Sequence, residues 1–445
     1  MSRDIHKKKH LSSFQLIILG FAGVILLGAI ILMLPVSSAE GVMTPFNQTL
    51  FTSTSAVCVT GLAVLDTGSY WSVFGQVVIL LLIQIGGLGV VTVAVSVFML
   101  SGRKISLMQR STMQNAISAH KVGGIVRLTK FILKGTLFIE MAGALALLPV
   151  FYHDFGRKGI WMAVFHSISA FCNAGFDILG TPANPFPSIT AYAGNPIVNV
   201  VIMFLIIAGG IGFLTWEDIC INKIHFRKYH MQSKIILVTT AFLIVLPAIF
   251  FFFSDFTYLS VGKRLLASAF QAVTPRTAGF NTMDISKMTE VSKAMIIILM
   301  LVGGSPSSTA GGMKTTTFAV LILNAFATFR SQENVETFGR RIECSVIKNA
   351  STIAMMYCML FLCGGITISV YEGLPLLECL YEAASAVGTV GLTLGITPKL
   401  HIVSQFILII LMYLGRVGGL TLIYAVLSKK KKGNARLPLE KLTVG

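Results

Sequence analysis

The sequence has little charge for its length. Of 445 residues, 18 are Asp or Glu and 35 are Lys or Arg, so 12% of the chain is charged, whereas a soluble domain carries about 25%. Its seven cysteines form no CxxC pair, and it contains no HExxH motif, paired intramembrane aspartates or Ser/His constellation. These absences argue against a disulfide framework, a metal site built from Cys and His, and a membrane enzyme.

The chain is instead rich in apolar residues. They make up 54% of the sequence, and the mean hydropathy is +0.80. Apolar runs near 20 residues recur, which is about the length that crosses a bilayer as a helix. The basic N-terminal stretch precedes an apolar run that is too long for a signal peptide. The composition therefore predicts an all-α polytopic membrane protein that contacts the lipid bilayer.

One short stretch occurs four times. Its first copy is Cys58-Val59-Thr60-Gly61-Leu62, and its glycine returns at spacings of 114, 104 and 112 residues, at Gly175, Gly279 and Gly391. Four copies predict four similar structural units. We place these repeats at 1–125, 126–232, 233–345 and 346–430, followed by a tail at 431–445.

Each unit is predicted to contain a spanning helix, a re-entrant half-helix and a second spanning helix, eight transmembrane helices in all. The first helices are predicted at 14–35, 128–151, 234–254 and 347–371. The half-helices, too short to cross, are predicted at 46–56, 161–170, 263–273 and 376–386. The second helices are predicted at 71–100, 196–219, 290–325 and 402–427, with a break only in the third.

The basic residues predict the topology. Of the 35 Lys and Arg, 25 fall in five segments, at 1–13, 101–134, 222–234, 326–348 and 429–445. This is the positive-inside pattern, which places all five segments and both termini in the cytoplasm and argues against nucleic-acid binding. A basic segment follows every unit, so each unit crosses an even number of times. The repeats are therefore parallel, and we expect four of them to surround one central pathway.

The repeated stretch has the chemistry of a cation site. A half-helix directs its negative dipole end inward, and the loop after it can present backbone carbonyls to a dehydrated ion. Glycine allows the backbone angles that this needs. A carbonyl ring without carboxylates suits a monovalent ion, since Ca²⁺ and Mg²⁺ prefer carboxylates. The alternative is that each glycine only makes a tight turn.

These features resemble the Trk/Ktr/HKT superfamily of potassium transporters, and most closely its KtrB group, the membrane subunits of bacterial Ktr uptake systems. The resemblance covers roughly residues 10–430, and Thr389-Val390-Gly391 matches the start of the potassium-channel filter TVGYG. It implies a K⁺-binding selectivity filter made of Val59, Thr60, Gly61, Asn173, Ala174, Gly175, Thr277, Ala278, Gly279, Thr389, Val390 and Gly391.

The four copies depart from the channel filter in ways that matter for ion binding. None has the second glycine, and Val59 and Asn173 stand where threonine is expected. Fewer stacked, equivalent ion sites should form. Plant relatives with Ser at the first filter glycine transport sodium, so Gly61 favours potassium. Sodium or unselective conduction, and a secondary transporter for a larger solute, are the competing functions. Coupling to Na⁺ or H⁺, as against channel-like flux, stays open.

The third unit carries a run that cannot hold a stable helix, because glycine and proline both disfavour it. The resemblance implies an intramembrane gating loop there, with an arginine in the last helix acting beneath the filter. These gate residues are Gly303, Gly304, Ser305, Pro306, Ser307, Ser308, Thr309, Ala310, Gly311, Gly312 and Arg416. The alternatives are a packing kink for the run and a structural anchor for Arg416, which costs energy in a span unless it finds partners.

The resemblance also implies partners: a homodimer and a cytosolic ring of Rossmann-type, KtrA-like regulatory subunits. ATP, ADP or a similar nucleotide is expected on that ring, and no cofactor on this chain. The implied location is the bacterial cytoplasmic membrane.

Several charged residues lie near or within the predicted spans. We expect Arg276 to pair with an acid such as Glu378 or Glu382. Whether Glu140 pairs with a Lys or Arg of the basic segment stays open. Lys314 either pairs with an acid or faces the cytoplasm. Asp66, Asp177 and Asp284 follow three of the glycines and either concentrate cations or simply solvate loops.

Overall fold

The computed structural model describes residues 12–100, 112, 114, 124–419, 421 and 440, and only the backbone of 97–100. The predicted tail at 431–445, apart from Glu440, and most of the basic segment 101–134 lie outside these residues. The described chain is helical apart from loops and one short antiparallel hairpin, β1 Glu336–Thr337 with β2 Arg340–Arg341.

The helices follow the predicted order within each unit. Unit 1 has α1 Ser13–Met33, α2 Phe46–Val57, α3 Val73–Leu88 and α4 Val90–Leu100. Unit 2 has α5 Ile125–Phe155, α6 Lys158–Phe171, α7 Pro196–Gly210 and α8 Phe213–Asn222. Unit 3 has α9 Met231–Ser254, α10 Val261–Val273, α11 Glu290–Leu301 and α12 Thr315–Phe329. Unit 4 has α13 Cys344–Glu372, α14 Leu376–Gly388 and α15 Ile402–Val417.

The first helix of every unit is long and apolar enough to cross a membrane unbroken. Counting each bent helix pair as one span raises the number of spans in the described chain to six, and α12 and α15 are shorter apolar helices. The half-helices α2, α6, α10 and α14 have 12, 14, 13 and 13 residues, about 18–21 Å at 1.5 Å per residue. They are therefore too short to cross.

The second helices differ from the prediction, which placed a break only in unit 3. α3 and α4 are bent by 99° at Gly89, and α7 and α8 by 99° near Gly212. Gly89 and Gly212 have φ of +87° and +93°, a region that glycine enters without a Cβ clash. Gly418, which ends α15, has φ +87°. The break in unit 3 is thus the longest version of an interruption that recurs in the chain.

Each half-helix packs against the first helix of its own unit, and in units 1 and 2 the same contact fixes the packing. Ser53 Oγ of α2 donates to Ile25 O of α1 at 2.7 Å. Ser167 Oγ of α6 donates to Glu140 O of α5 at 2.6 Å. These serines stand eight residues before Gly61 and Gly175, so the sequence repeat is also a repeat of tertiary contacts.

Candidate functional site

The four glycine loops, residues 59–61, 173–175, 277–279 and 389–391, share one backbone conformation. The glycines have φ between +68° and +91°. The residue two places earlier also has positive φ in every copy: Val59 +58°, Asn173 +59°, Thr277 +64° and Thr389 +53°. Three of these four are β-branched, for which positive φ is a genuine outlier. Such strain persists only where the surroundings enforce it, so the conformation points to a function of the loop.

The four glycine loops close into a ring. A Cβ built on any of the four glycines would overlap the backbone carbonyl oxygen of the residue before the glycine in the neighbouring unit; on Gly175 and on Gly279 the separation would be 2.5 Å. The contacts are Gly61 on Ala174, Gly175 on Ala278, Gly279 on Val390 and Gly391 on Thr60. Each unit therefore touches the next, and the fourth returns to the first. The ring has no room for a side chain at the glycines.

A hydroxyl on each half-helix holds the glycine loop that follows it. In units 1 and 4 it accepts from the glycine: Gly61 N donates to Ser55 Oγ at 3.1 Å and Gly391 N to Ser385 Oγ at 3.0 Å. In units 2 and 3 it donates to the carbonyl after the glycine: Ser169 Oγ to Phe176 O at 2.7 Å and Thr274 Oγ1 to Phe280 O at 2.6 Å. The small hydroxyl residue, six places before the glycine in units 1, 2 and 4 and five places before it in unit 3, is thus a loop anchor.

The ring carries oxygen atoms that lack protein partners. Within the described chain, the buried hydroxyls of Thr60 and Thr389 have no hydrogen-bond partner. Among the same residues, no group of three or more His, Cys, Asp or Glu side chains is arranged to hold a metal ion. A ring of neutral oxygens without such a carboxylate cluster suits a weakly held monovalent cation better than a divalent one.

The predicted gate lies against this ring. We use "third-unit loop" for residues 302–314, between α11 and α12. A Cβ on Gly311 would overlap Thr389 Oγ1, and one on Gly312 would lie 2.8 Å from Gly388 O. The two ends of the loop are joined by backbone hydrogen bonds, since Gly303 N donates to Met313 O at 2.8 Å and Thr315 N to Gly304 O at 3.0 Å.

Asn173, which departs from the filter pattern, links the ring to the third-unit loop. Its side-chain oxygen accepts from Thr309 Oγ1 at 3.1 Å, and its amide nitrogen donates to Arg276 O at 3.2 Å. Thr309 is fully buried, and its N–H donates to Gly209 O at 3.2 Å. No sequence signal indicated this link, because Asn173 could be interpreted only as a replacement for the expected threonine.

Arg416 joins three units rather than one. Its guanidinium donates to Thr309 O of the third-unit loop and to Gly86 O at the end of α3, and at 3.2 Å to Gly87 O. No carboxylate in the described chain lies within salt-bridge distance of it. Gly86 O also accepts from Gly89 N at 3.1 Å, and the last carbonyls of a helix carry partial negative charge that attracts a cation. The anchor role weighed for Arg416 therefore has the contacts that it requires.

A cavity of about 560 Å³ adjoins the third-unit loop. Its lining includes Pro306, Lys314 and Arg416 but none of the glycine-loop residues. Since Gly311 and Thr309 contact the ring, the third-unit loop separates the ring from this cavity.

The ion pair expected for Arg276, and those left open for Glu140 and Lys314, are absent among the described residues. The prediction for Arg276 was therefore wrong. Arg276 is buried and donates to Thr240 Oγ1 at 3.3 Å, not to Glu378 or Glu382. Glu140 accepts from Gln84 Nε2 at 3.2 Å and pairs with no Lys or Arg that the structure describes. Lys314 donates to Ala310 O of its own loop at 2.7 Å. Buried charges can meet carbonyls, hydroxyls and amides instead of opposite charges, which sequence alone does not reveal.

The three aspartates after the glycine loops have different environments. Asp66 is buried and accepts from Ser69 N at 2.8 Å and from Phe186 N at 2.8 Å, so it organises loops. Asp284 Oδ1 accepts a hydrogen bond from Ser286 Oγ at 2.6 Å, and this bond lowers the pKa of the aspartate. Asp177 is half-buried. The loss of water around its carboxylate raises its pKa to about 7, although the hydrogen bond from Leu179 N acts in the opposite direction.

Comparisons with known proteins agree on one family. Residues 13–434 match the family model described as "TrkH: Cation transport protein". The chain is 38% identical to the potassium/sodium uptake protein NtpJ of Enterococcus hirae, with 98% of each chain covered. It is also 38% identical to the Ktr system potassium uptake protein B of Bacillus subtilis, with 95% of each covered. The protein of that name from Vibrio alginolyticus is 33% identical, with 92% of this chain and 90% of that one covered.

The fold matches a solved structure. The crystal structure of the potassium transporter TrkH from Vibrio parahaemolyticus aligns with a TM-score of 0.74 at 17% identity. The alignment covers 96% of this chain and 87% of that chain. At this identity the likeness establishes the architecture of the polypeptide and nothing finer.

Proposed function

The chain belongs to the TrkH family of cation transport proteins, and on that premise we propose that it is the ion-translocating subunit of a potassium uptake system. It is a multi-pass membrane protein and a transporter rather than an enzyme. Its relatives are named for potassium or potassium/sodium uptake. The observation that carries the proposal is the closed ring of four glycine loops, in which neutral backbone oxygens from all four units meet.

In this proposal the ring is the selectivity filter. A dehydrated K⁺ exchanges its water shell for the carbonyls of the glycine loops, while the half-helices direct their negative ends toward the same point. The unpartnered hydroxyls of Thr60 and Thr389 add further oxygen atoms. Sodium transport is the second candidate, since the relative from Enterococcus hirae is named for both ions.

The third-unit loop is proposed to be the gate. It lies between the ring and the cavity and is held by Asn173 and Arg416 rather than by regular helical hydrogen bonds. A non-helical segment held by contacts to neighbouring units opens at lower cost than a continuous helix. Release of these tethers would join the cavity to the ring.

Regulation is proposed to come from a separate cytosolic protein. Relatives are named as parts of a Ktr system, and the family resemblance implies a homodimer on a nucleotide-binding ring of Rossmann-type subunits. The basic segments 222–234 and 326–345 are the proposed docking surface, with charge aiding orientation more than affinity. The other proposed docking segment, 101–127, lies mostly outside the described residues. The positive-inside pattern of the basic segments supports a cytoplasmic location for this surface and for both termini, in a bacterial cell.

Growth and ion uptake test the proposal directly. The chain, expressed in a bacterial strain without its own potassium uptake, should restore growth at low external potassium and accumulate K⁺ in preference to Na⁺. Accumulation of both ions alike would favour the second candidate. Correct insertion into the membrane without uptake of either ion would contradict the proposal.

A further inference from the structure

Glu382 is a fully buried carboxylate in the half-helix of unit 4. It lies nine residues before Gly391, and it was expected to neutralise Arg276. No Lys, Arg or His side chain of the described chain lies within salt-bridge distance of it. A buried carboxyl group without a cation must find hydrogen-bond donors, or its burial is costly.

The donors come from the segment that leaves the unit 4 glycine loop. Thr393 Oγ1 donates to Glu382 Oε1 at 2.5 Å, and Leu394 N donates to the same oxygen at 3.2 Å. Thr397 Oγ1 donates to Oε2 at 2.6 Å. One side chain therefore fixes five consecutive residues, beginning two places after Gly391.

The same half-helix also holds the other end of this glycine loop. Ser385, three residues after Glu382 and so on the same helix face, accepts from Gly391 N through its hydroxyl and from Val390 N through its carbonyl at 2.8 Å. α14 thus clamps the loop both at its glycine and beyond it. Ser385 holds the glycine loop itself, and Glu382 holds the segment that follows it.

In the part of the chain that the structure describes, no other unit has a clamp at the position of Glu382. The residues nine places before their glycines are Thr52, His166 and Phe270. Thr52 Oγ1 donates to Gln48 O of its own helix at 2.9 Å, and His166 Nδ1 bonds Met162 O of its own helix at 2.7 Å. Phe270 has no polar atom in its side chain. In units 2 and 3 the hydroxyls of Ser169 and Thr274 reach only the carbonyl directly after the glycine. In unit 4 the half-helix also holds, through Glu382, the segment two to six places beyond the glycine.

We propose that Glu382 is a positioning residue for ion selection, which fixes the segment 393–397 and thereby the unit 4 carbonyls at the ring. Discrimination between ions of equal charge depends on where the coordinating dipoles are held, and supporting residues decide how well that geometry is kept. The inference rests on the proposed function, since it assigns a role within the proposed filter.

The test compares potassium and sodium uptake by whole cells expressing the full chain. Glu382→Gln keeps the side-chain shape and removes the negative charge that attracts three donors. Thr393→Val with Thr397→Val removes two donors and leaves the carboxylate. We expect each change to reduce the ratio of the sodium KM to the potassium KM about tenfold, the effect of losing about one charged hydrogen bond. Combining them should add little, because they break one contact network.

The controls separate the outcomes. Thr52→Val alters the equivalent position of unit 1, where the hydroxyl bonds only its own helix, and should leave the ratio unchanged. If wild-type protein shows no preference for potassium, the proposed function fails. If wild type discriminates and Glu382→Gln does too, this inference alone fails. If Glu382→Gln loses discrimination and the threonine pair keeps it, the carboxylate does not act through the segment, and the inference is overturned. Should Glu382→Gln fail to insert, the threonine pair decides.

Discussion

The ring of glycine loops and the third-unit loop lie in contact but are built by opposite rules. The ring uses the same backbone four times, with matching positive φ values and one type of neighbour contact. The third-unit loop occurs once, and its tethers come from units 2 and 4. A site on an axis needs equal contributions from all units, whereas a single obstruction suffices to block a path. The proposed ion-binding site is therefore built by repetition, and the proposed gate is a single, asymmetric element.

The largest effect is expected where the ring has no space. Gly61→Ser places a side chain against Ala174 O at φ +89°, where non-glycine residues are strained. We expect preference for potassium over sodium to fall about a hundredfold, equivalent to roughly 2.8 kcal/mol. Competitive uptake of the two ions measures this.

The matched control for this substitution is Gly41→Ser. Gly41 also has positive φ, +70°, but a Cβ there would meet nothing within 4 Å. It shares the backbone strain and not the ring contact. Loss of selectivity in Gly41→Ser to the same degree would mean that strain, and not the ring, explains the result.

Deleting residues 305–309 should raise potassium flux about tenfold, equivalent to roughly 1.4 kcal/mol of barrier. The cut ends are already adjacent, since a Cβ on Gly304 would overlap the Cβ of Ala310, so the deletion closes without stretching the chain. Flux should also depend less on the regulatory partner. Reduced flux in protein that still reaches the membrane would show that the third-unit loop is not an obstruction.

Substitutions at Arg416 test whether this residue anchors the third-unit loop or acts as an electrostatic barrier. The expected change in flux is smaller than for the deletion. Arg416→Lys keeps the charge but loses the forked geometry that reaches Thr309 O and Gly86 O together. If the arginine anchors the third-unit loop, Arg416→Lys and Arg416→Gln should both raise flux by a similar amount, about fivefold or roughly 1 kcal/mol. A lysine variant that behaves like wild type beside an altered glutamine variant would favour the barrier.

The smallest effect is expected at Asp177. Because burial raises its pKa to about 7, this carboxyl is mostly neutral at pH 6 and mostly negative at pH 8. The negative form attracts cations, so uptake should rise across this interval by about twofold, as for one partly solvated charge. Asp177→Asn should remove the rise.

Asp284→Asn is the control for the pH dependence. A hydrogen bond from the Ser286 hydroxyl lowers the pKa of Asp284, so this carboxylate is ionised throughout the interval. Its substitution should shift uptake equally at both pH values. A pH profile that survives Asp177→Asn would assign the titration to another group.

Sequence alone fixed the helical architecture with few errors. The lengths of the apolar runs and the spacing of the four glycines predicted a half-helix at 46–56, and the structure has it at Phe46–Val57. They also predicted a spanning helix at 234–254, which the structure has at Met231–Ser254. These features depend on local composition and hydropathy, which a linear sequence carries. The extra breaks at Gly89 and Gly212 were missed, because a glycine within an apolar run does not disclose its own φ.

Only the tertiary structure decided which groups meet. The order of units around the ring, the link from Asn173 to Thr309, and the carbonyls that hold Arg416 join residues more than 100 positions apart. Arg276 and Glu382 have opposite charges, yet each has its hydrogen-bond partners elsewhere. The charge of a residue, read from the sequence, tells which kind of hydrogen-bond partner the group requires once it is buried. Carboxylates, hydroxyls and backbone carbonyls can all be that partner, so packing decides which of them it contacts.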